Sequence, residues 1–354
     1  VRLYIVMTTP IFICGAECGI VTIGATGLTP HWDTVDGTPE ISTTTYRNGL
    51  RSYRFNIASS SCDLGKNFSQ TRLVGRVAIR FATLPNTKTA LLQINNANGS
   101  FYLWYIQSNS KLAAQVGAGT IQEGTVVTTG VWYVIDFDLN SSGATATFDW
   151  RMDGVAQTQA TNTQTSVAMS RIMFGVGQYY IATADVYMDD IILSFTGADY
   201  PFGDGKVLGF SPNVDGTHSF TAGNFIYNAA GANILVTATD VNTYLDEVPI
   251  TGTADFINQK LVEAAGYVEI GFVDTSETTD ARGLEVVCSQ HSATATANKA
   301  AMNLNDNGTI SAIYALTDIS QTALIYHSKQ FATAPSTGLA WTQARINALK
   351  LRCT

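Results

Sequence analysis

Two aspartate pairs have the strongest claim to chemistry in this 354-residue chain. Asp136 and Asp138 flank Phe137, and residues two apart on an extended strand share a face. A glycoside hydrolase needs two carboxylates about 5–5.5 Å apart to retain stereochemistry, or about 6.5–9.5 Å apart to invert it. A glucanase run of the form E-x-D-x-E is absent, and Asp136-Phe137-Asp138 offers no glutamate. The pair therefore reads as the solvent face of an amphipathic strand. Asp189 and Asp190 are adjacent, so alternation sends them to opposite faces and forbids a dyad, leaving one of them to bond a neighbouring loop. His31, His218, His291 and His327 are scattered without acid partners, and no G-x-S-x-G elbow is present. Gly203-Asp204-Gly205-Lys206 lacks the rest of a phosphate loop and reads as a turn. No catalytic residue and no cofactor is expected.

Metal chemistry has three weak footholds. Cys14 and Cys18 flank Gly-Ala-Glu, but no CxxC or histidine partner follows at finger spacing. The five cysteines (Cys14, Cys18, Cys62, Cys288 and Cys353) are odd in number and irregularly spaced, which argues against a dense disulfide framework. A Cys14–Cys18 or Cys18–Cys62 bridge stays open, with free buried thiols as the default. Calcium would suit the oxygen-rich run Asn303-Leu304-Asn305-Asp306-Asn307-Gly308, or Asp149 with Asp153. The competing readings are an Asn-Gly hairpin turn and ordinary surface polarity, and no ligand set is assigned.

Aromatic residues supply the other signal, because sugar rings stack on exposed rings. Phe101, Tyr102, Trp104 and Tyr105 lie on one strand, while Tyr179 and Tyr180 lie in a loop. Alternation places Tyr102 and Trp104 on one face and Phe101 and Tyr105 on the other, so half of this set must be core. The candidate carbohydrate or interface contacts are Tyr102, Trp104, Tyr179 and Tyr180; interfaces are themselves enriched in Tyr and Trp.

These side chains must be carried by strands. Val131–Leu139 alternates Val131, Tyr133, Ile135, Phe137 and Leu139 against Trp132, Val134, Asp136 and Asp138. Ala144–Arg151 repeats the pattern after the turn Asn140-Ser141-Ser142-Gly143, which makes a hairpin. Further strands are expected at Leu50–Ile57, Leu73–Phe81, Ala90–Ile94, Phe101–Ile106, Lys111–Val116, Ile172–Val176 and Asp185–Phe195. Strands every 8–15 residues without helical period indicate a sandwich or jelly roll over residues 1–196. The Gly/Pro-rich stretch at 197–206 reads as a linker. A smaller β-sandwich domain is expected over 207–354, with strands at Tyr267–Val273, Gly283–Ser289, Lys299–Leu304, Ile310–Leu316 and Thr322–Phe331. Short helices are expected at Ala254–Ala264 and at Thr342–Leu351, the latter capped by Thr342.

Composition bounds the partners. Hydrophobic residues are 45% and charged residues 14%, so Ser, Thr, Asn, Gln and Gly must cover the surface of a folded, all-β chain. A net charge of −8 without any basic stretch speaks against nucleic acid. No apolar run reaches the ~18–20 residues of a membrane span. The apolar segment Leu3–Ile13 is broken by Pro10 and is expected to dock on another subunit or on the partner domain, as is Trp341–Leu351. The chain opens at Val1, which leaves open a start at Met7 or a missing N-terminal piece.

Several stretches then carry a resemblance. I-F-I-C-G-A-E-C-G, N-G-L-R-S-Y-R-F, W-Y-V-I-D-F-D-L with W-R-M-D-G-V, and V-Y-M-D-D-I-I-L-S resemble concanavalin A-like (laminin-G-like) jelly-roll domains of bacteriophage type. Y-P-F-G-D-G-K-V, S-P-N-V-D-G-T-H-S-F, Y-L-D-E-V-P and P-S-T-G-L-A-W-T-Q-A-R-I-N-A-L look like the downstream module of the same phage structural proteins. The resemblance implies a virion component working through assembly with copies of itself and other virion proteins, rather than an enzyme. The alternative from another class is a carbohydrate- or receptor-binding module of a phage fibre, meeting surface glycans. A secreted glycoside hydrolase ranks behind both.

Overall fold

The computed structural model describes residues 12–16, 32–58, 60–176, 183–203 and 205–209, then 212–215, 225–229, 232–235, 255–259, 268–272, 284–290, 301–311, 314–315, 325–331 and 333–353. The chain divides into two compact units, with the main break between Gly209 and Phe210. Both are built of antiparallel sheets.

The first unit has sixteen strands among the described residues. In chain order they are β1 (Phe12–Cys14), β2 (Thr34–Asp36), β3 (Glu40–Ser42), β4 (Ser52–Ile57), β5 (Cys62–Gln70), β6 (Arg72–Thr83), β7 (Thr89–Asn96) and β8 (Phe101–Ile106). There follow β9 (Lys111–Val116), β10 (Gln122–Val126), β11 (Trp132–Asn140), β12 (Thr145–Met152), β13 (Val155–Ala156), β14 (Ala160–Thr163), β15 (Met169–Val176) and β16 (Ala184–Ser194). The first sheet runs β13-β12-β11-β6-β16-β4-β3, with β1 added on β16 and β14 on β12. The second runs β10-β9-β8-β7-β15-β5-β2. The chain passes from sheet to sheet at β4–β5–β6–β7 and again at β14–β15–β16, as in a jelly-roll sandwich.

One apolar core fills the space between the sheets. Tyr133, Ile135, Phe137 and Leu139 of β11 face it, as the alternation predicts, and so do Phe101, Leu103 and Tyr105 of β8. Burying each large side chain contributes about 1.5–3 kcal/mol. Gly75 on β6 lies opposite Phe137 on one side and Leu193 on the other. A methyl group there would fall 2.1 Å from Phe137 Cζ, so the absent side chain is what lets that ring lie flat on the strand.

Three expectations about how the first sheet is covered need correction. The Asp136 face of β11 is not solvent: Asp136 is 1% exposed, and Val134 and Asp138 are buried with it. The cause is the stretch 197–206, expected as a linker, together with Val207, which packs on this face through the buried Asp199, Phe202 and Val207. Ser194 Oγ donates to the Asp199 carboxylate, and Arg76 donates to the Gly203 carbonyl. Thirdly, the end of the apolar N-terminal segment is no free docking arm, since Phe12–Cys14 pairs with Ile191–Leu193 and Phe12 is buried. Residues 1–11 lie outside the described residues.

In the second unit the central six-stranded sheet contains Pro212–Asp215, Val268–Phe272, Lys350–Cys353, Ala301–Asp306 and Thr309–Ile310, with Tyr314–Ala315 added on Ala301–Asp306. The expected helix at Ala254–Ala264 is corrected: Asp255–Gln259 is a strand paired with Phe225–Ala229. Its β-branched and aromatic residues suit sheet pairing better than an isolated short helix. The other helix is real but shorter, Gln343–Ala348, with Thr342 Oγ1 accepting from the Arg345 N–H at 3.4 Å. Lys350–Cys353 then turns into a strand between two neighbours. Trp341 and Leu351 are buried in this unit, and Trp341 Nε1 donates to the Phe331 carbonyl at 2.9 Å.

Gly75→Ala tests the close approach on β6. Overpacking a filled core costs about 1–3 kcal/mol, and urea unfolding should show at least that loss. An unchanged midpoint would mean that the Phe137 ring can leave its place freely.

Candidate functional site

The carboxylates are where alternation places them only in part. Asp136 stands across from Arg76 in the β11–β6 register. Asp138 receives Arg72 Nε at 3.0 Å and Nη2 at 2.5 Å. Burial pushes the Asp136 carboxyl up to about 6, while the Arg76 charge, the backbone N–H groups of Phe202 and Gly203, and the Arg151 charge pull it back. A carboxylate covered this deeply has no room for a sugar.

Asp189 and Asp190 depart from the expected opposite faces. The β16–β6 register shifts between Asp189 and Ile192, and Asp190 has φ of +51°. A bulge of this kind bends the strand and re-aims a side chain, so both carboxyls converge. Asp189 Oδ2 accepts from the backbone N–H of Arg47 (2.8 Å) and of Asn48 (3.3 Å), and Oδ1 accepts from the Asp190 N–H (2.7 Å). Asp190 Oδ2 accepts from Arg47 Nη1 (2.7 Å) and Asn48 Nδ2 (2.6 Å), and Oδ1 accepts from the Val207 N–H (2.7 Å). All four oxygens are engaged by donors, so the cluster is neither an acid–base dyad nor a cation cage. Burial, and then the charge of Asp190, raise the Asp189 carboxyl above the usual range, and these N–H groups oppose the rise.

The calcium candidates are likewise engaged. Asn307 and Gly308 have φ of +51° and +88°, the conformation of a tight Asn-Gly hairpin turn. Asp306 is bound by Arg345 Nη1 at 3.0 Å and by the Ser336 N–H at 3.0 Å, and Asn305 Nδ2 donates to Glu269 at 2.8 Å. Asp153 Oδ1 accepts from the Val134 N–H at 2.8 Å, and Asp149 lies 3.4 Å from the Tyr200 hydroxyl. Among the described residues no three His, Cys, Asp or Glu side chains are grouped to hold a metal ion. Cys14 and Cys62 are buried thiols outside any disulfide, the Cys14 Sγ lies 2.8 Å from the Tyr53 hydroxyl, and burial raises the Cys62 thiol to about 11. Cys18, His31, His218, His291, Tyr179 and Tyr180 lie outside the described residues.

What remains is the outer face of the second sheet, away from the core. Cross-strand pairing aligns Gly65, Met173, Gln93, Tyr102 and Gln115 in one row, with Ala90, Trp104 and Ala113 in the next. Tyr102 stacks on Trp104 with centroids 4.6 Å apart and planes 23° from parallel. The expectation of two exposed rings is corrected here, because Trp104 is only 4% exposed. Lys88 Nζ sits 4.1 Å from its ring centroid, and its indole N–H donates to Gln115 Oε1 at 2.7 Å. Tyr102 alone of the pair is half-exposed.

Beside this pair the sheet sinks into a depression of about 10 Å³ walled by Asp63, Ala90, Gln93, Met173 and Gly175 among others. Gly175 has φ of +149°, and a methyl group there would lie 2.2 Å from the Cys62 carbonyl. Gln93 is 5% exposed; its Nε2 donates to Asn95 Oδ1 at 2.9 Å, and its Oε1 has no hydrogen-bond partner among the described residues. Sequence reasoning missed Gln93 and Asp63. Their strands alternate normally, but a lone glutamine or aspartate on a strand carries no signal.

No family model matches the chain, and no curated protein matches it. Solved structures overlap with it in part. A Bacillus subtilis carbohydrate binding module is 11% identical over 46% of this chain and 94% of its own, with TM-score 0.32. The botulinum neurotoxin type G receptor binding domain is 10% identical over 75% and 72%, with TM-score 0.40. Trypanosoma rangeli sialidase is 13% identical over 46% of this chain, with TM-score 0.34; the match spans 28% of the sialidase. Overlaps this partial say nothing about ligand or activity.

The buried Asp136 generates a pH test. Its folded value of about 6 lies above the ~3.9 of an unfolded aspartate. The folded chain therefore binds this proton more tightly, and the resulting stabilisation is present below ~4 and lost as pH rises through ~6. Relative to Asp136→Asn, the wild type should gain on the order of 1–3 kcal/mol when moved from pH 7 to pH 4. Urea midpoints of the two proteins running parallel across that range would contradict a buried, raised carboxyl.

Proposed function

We propose that this chain is a non-catalytic recognition protein whose second sheet binds a carbohydrate through its outer face, as a component of a bacteriophage particle. The observation that carries the reading is the half-exposed Tyr102 ring, held by its stack on Trp104 and standing across the strand pairing from Gln93. Ring stacking supplies affinity on a rigid platform, and amide side chains such as Gln93 and Asn95 supply hydrogen bonds. The absence of catalysis is supported by the state of the carboxylates, since Asp138, Asp189 and Asp190 are each occupied by donors. Placement in a virion rests on the resemblance of the chain's motifs to phage jelly-roll proteins.

A second reading, assembly with copies of itself or with other virion proteins, is favoured by Val126, Val131 and Val155. These exposed apolar side chains lie on or beside the edge strands β10 and β13 or the start of β11. Edge strands with uncovered apolar residues are where chains pair.

Affinity electrophoresis through gels containing single polysaccharides tests the first reading. The wild type should be retarded by at least one glycan, and Tyr102→Ala should lose tenfold or more of that affinity, given stacking and desolvation by one ring. Retardation by none of a broad panel, with a concentration-dependent rise in mass that Val126→Ser and Val155→Ser abolish, would move the assignment to assembly.

A further inference from the structure

The outer face of the second sheet holds a cation that the chain does not neutralise. In the first unit Arg47, Arg54, Arg72, Lys66 and Lys111 each pair with a carboxylate. The half-buried Arg171 of β15 has no hydrogen bond, ion pair or ring contact among the described residues. Its direction is set by its neighbours. Ile172 and Phe174 face the core, so alternation turns Arg171 and Met173 outward. A Cβ built on Gly65 would lie 3.3 Å from Arg171 Cδ and 3.5 Å from Met173 Cγ, so the arginine stem leans over Gly65. Gly65 and Met173 share a row with Gln93 and Tyr102, so the guanidinium lies on the side of its own row that faces Tyr102.

The side chains beside Arg171 complement an anion. Asn67 and Asn95 flank it in register on the two neighbouring strands. Asn95 Oδ1 accepts from Gln93 Nε2 at 2.9 Å, which turns the Asn95 N–H groups away from Gln93. Asp33, the carboxylate next to Asn67, is already engaged by the Asn67 N–H at 2.6 Å and by Lys66 Nζ at 3.4 Å. A guanidinium offers a planar fork of donors that matches a carboxylate with two parallel bonds. Arg171 and Tyr102 stand two strands and two residues apart, roughly 12 Å at ~4.8 Å per strand and ~3.4 Å per residue. An oligosaccharide spans that distance and a single sugar does not. We infer that this face takes an acidic polysaccharide, with one sugar ring stacked on Tyr102 and the uronate carboxylate of a nearby unit held by Arg171. This rests on the glycan reading above and adds the ligand class and Arg171 as the residue that selects it.

The experiment uses the whole chain and four named probes: polygalacturonate and alginate as carboxylated polymers, dextran sulfate as a sulfated one and galactomannan as a neutral one. Dissociation constants come from affinity electrophoresis at 0.15 M salt, where the ~8 Å screening length makes the local face, not the net charge of −8, decide. A carboxylated polymer should bind about tenfold or more tightly than dextran sulfate and galactomannan. Arg171→Gln should weaken that binding about tenfold and leave the melting temperature near that of the wild type. Arg171→Lys, which keeps the charge and loses the fork, should fall between the two. Preference for galactomannan or dextran sulfate, or a folded Arg171→Gln protein with unchanged affinity for the carboxylated polymers, would overturn the inference and leave glycan binding standing. Should Arg171→Gln fail to fold, Arg171→Lys and the wild type's preference among the four polymers still decide. Binding to none of the four would defeat both readings together.

Discussion

The β16 bulge, with its two buried aspartates, is the constraint on which the first unit is organised. Two adjacent carboxyls inside a protein are tolerated only when their oxygens are saturated with donors. Here the donors come from three parts of the chain: the Arg47-Asn48 loop, Asp190 itself and Val207. Satisfying the pair therefore ties the end of the segment 197–207 to the middle of β16. That segment then has to lie across β6 and β11, where Phe202 is buried and Arg76 bonds Gly203. The central strands of the first sheet end up covered on both faces. The half-exposed ring, the amides and the small, largely apolar hollow all sit on the outer face of the second sheet.

The same tie explains why charged residues sit at interior positions of a weakly charged chain. Arg76 and Asp136 stand in register on neighbouring strands and are sealed by the segment above them. Removing one partner would leave an uncompensated buried charge, which is costlier than never having buried either. Such pairs specify how the segment docks more than they add to net stability. They also lose the exposure that acid–base or nucleophilic chemistry requires.

Strand identity and the core-facing sets were legible because period-two alternation is a local property. The hairpin at β11–β12 and the division of Phe101 and Tyr105 from Tyr102 and Trp104 follow from it directly. What alternation cannot carry is the fate of the outer face. Asp136 looks like a surface residue until residues 197–207 fold over it, and that contact joins positions more than sixty residues apart. Asp189 and Asp190 failed for a different reason, since one bulge with φ of +51° breaks the rule itself. β5, reading C-D-L-G-K-N-F-S-Q, was missed because glycine, lysine and asparagine dilute its apolar set. Its place between β15 and β2 comes from pairing on both sides. At Asp255–Gln259 the strand-favouring Phe256 and Ile257 are outnumbered by helix formers in the run that follows, whereas Thr342 marks its helix through a cap with a defined hydrogen bond.

The candidate site was half legible for related reasons. Tyr102 is visible as an aromatic on the outward set of β8, but Trp104, of the same set, turns out to support it. An indole capped by an ammonium on β7's approach and bonded through its N–H to Gln115 is a fixed base, and it holds the tyrosine ring at one angle. A fixed ring loses little entropy when anything packs on it. The hollow depends on residues that are absent as much as on those present: Gly175 and Ala90 leave the space, and Gln93 lines it with an acceptor. Among the described residues of this unit, Asp138, Asp189 and Asp190 are held by arginines, an asparagine and backbone amides, while the half-exposed Tyr102 ring and the Gln93 amide lie on the outer face of the other sheet.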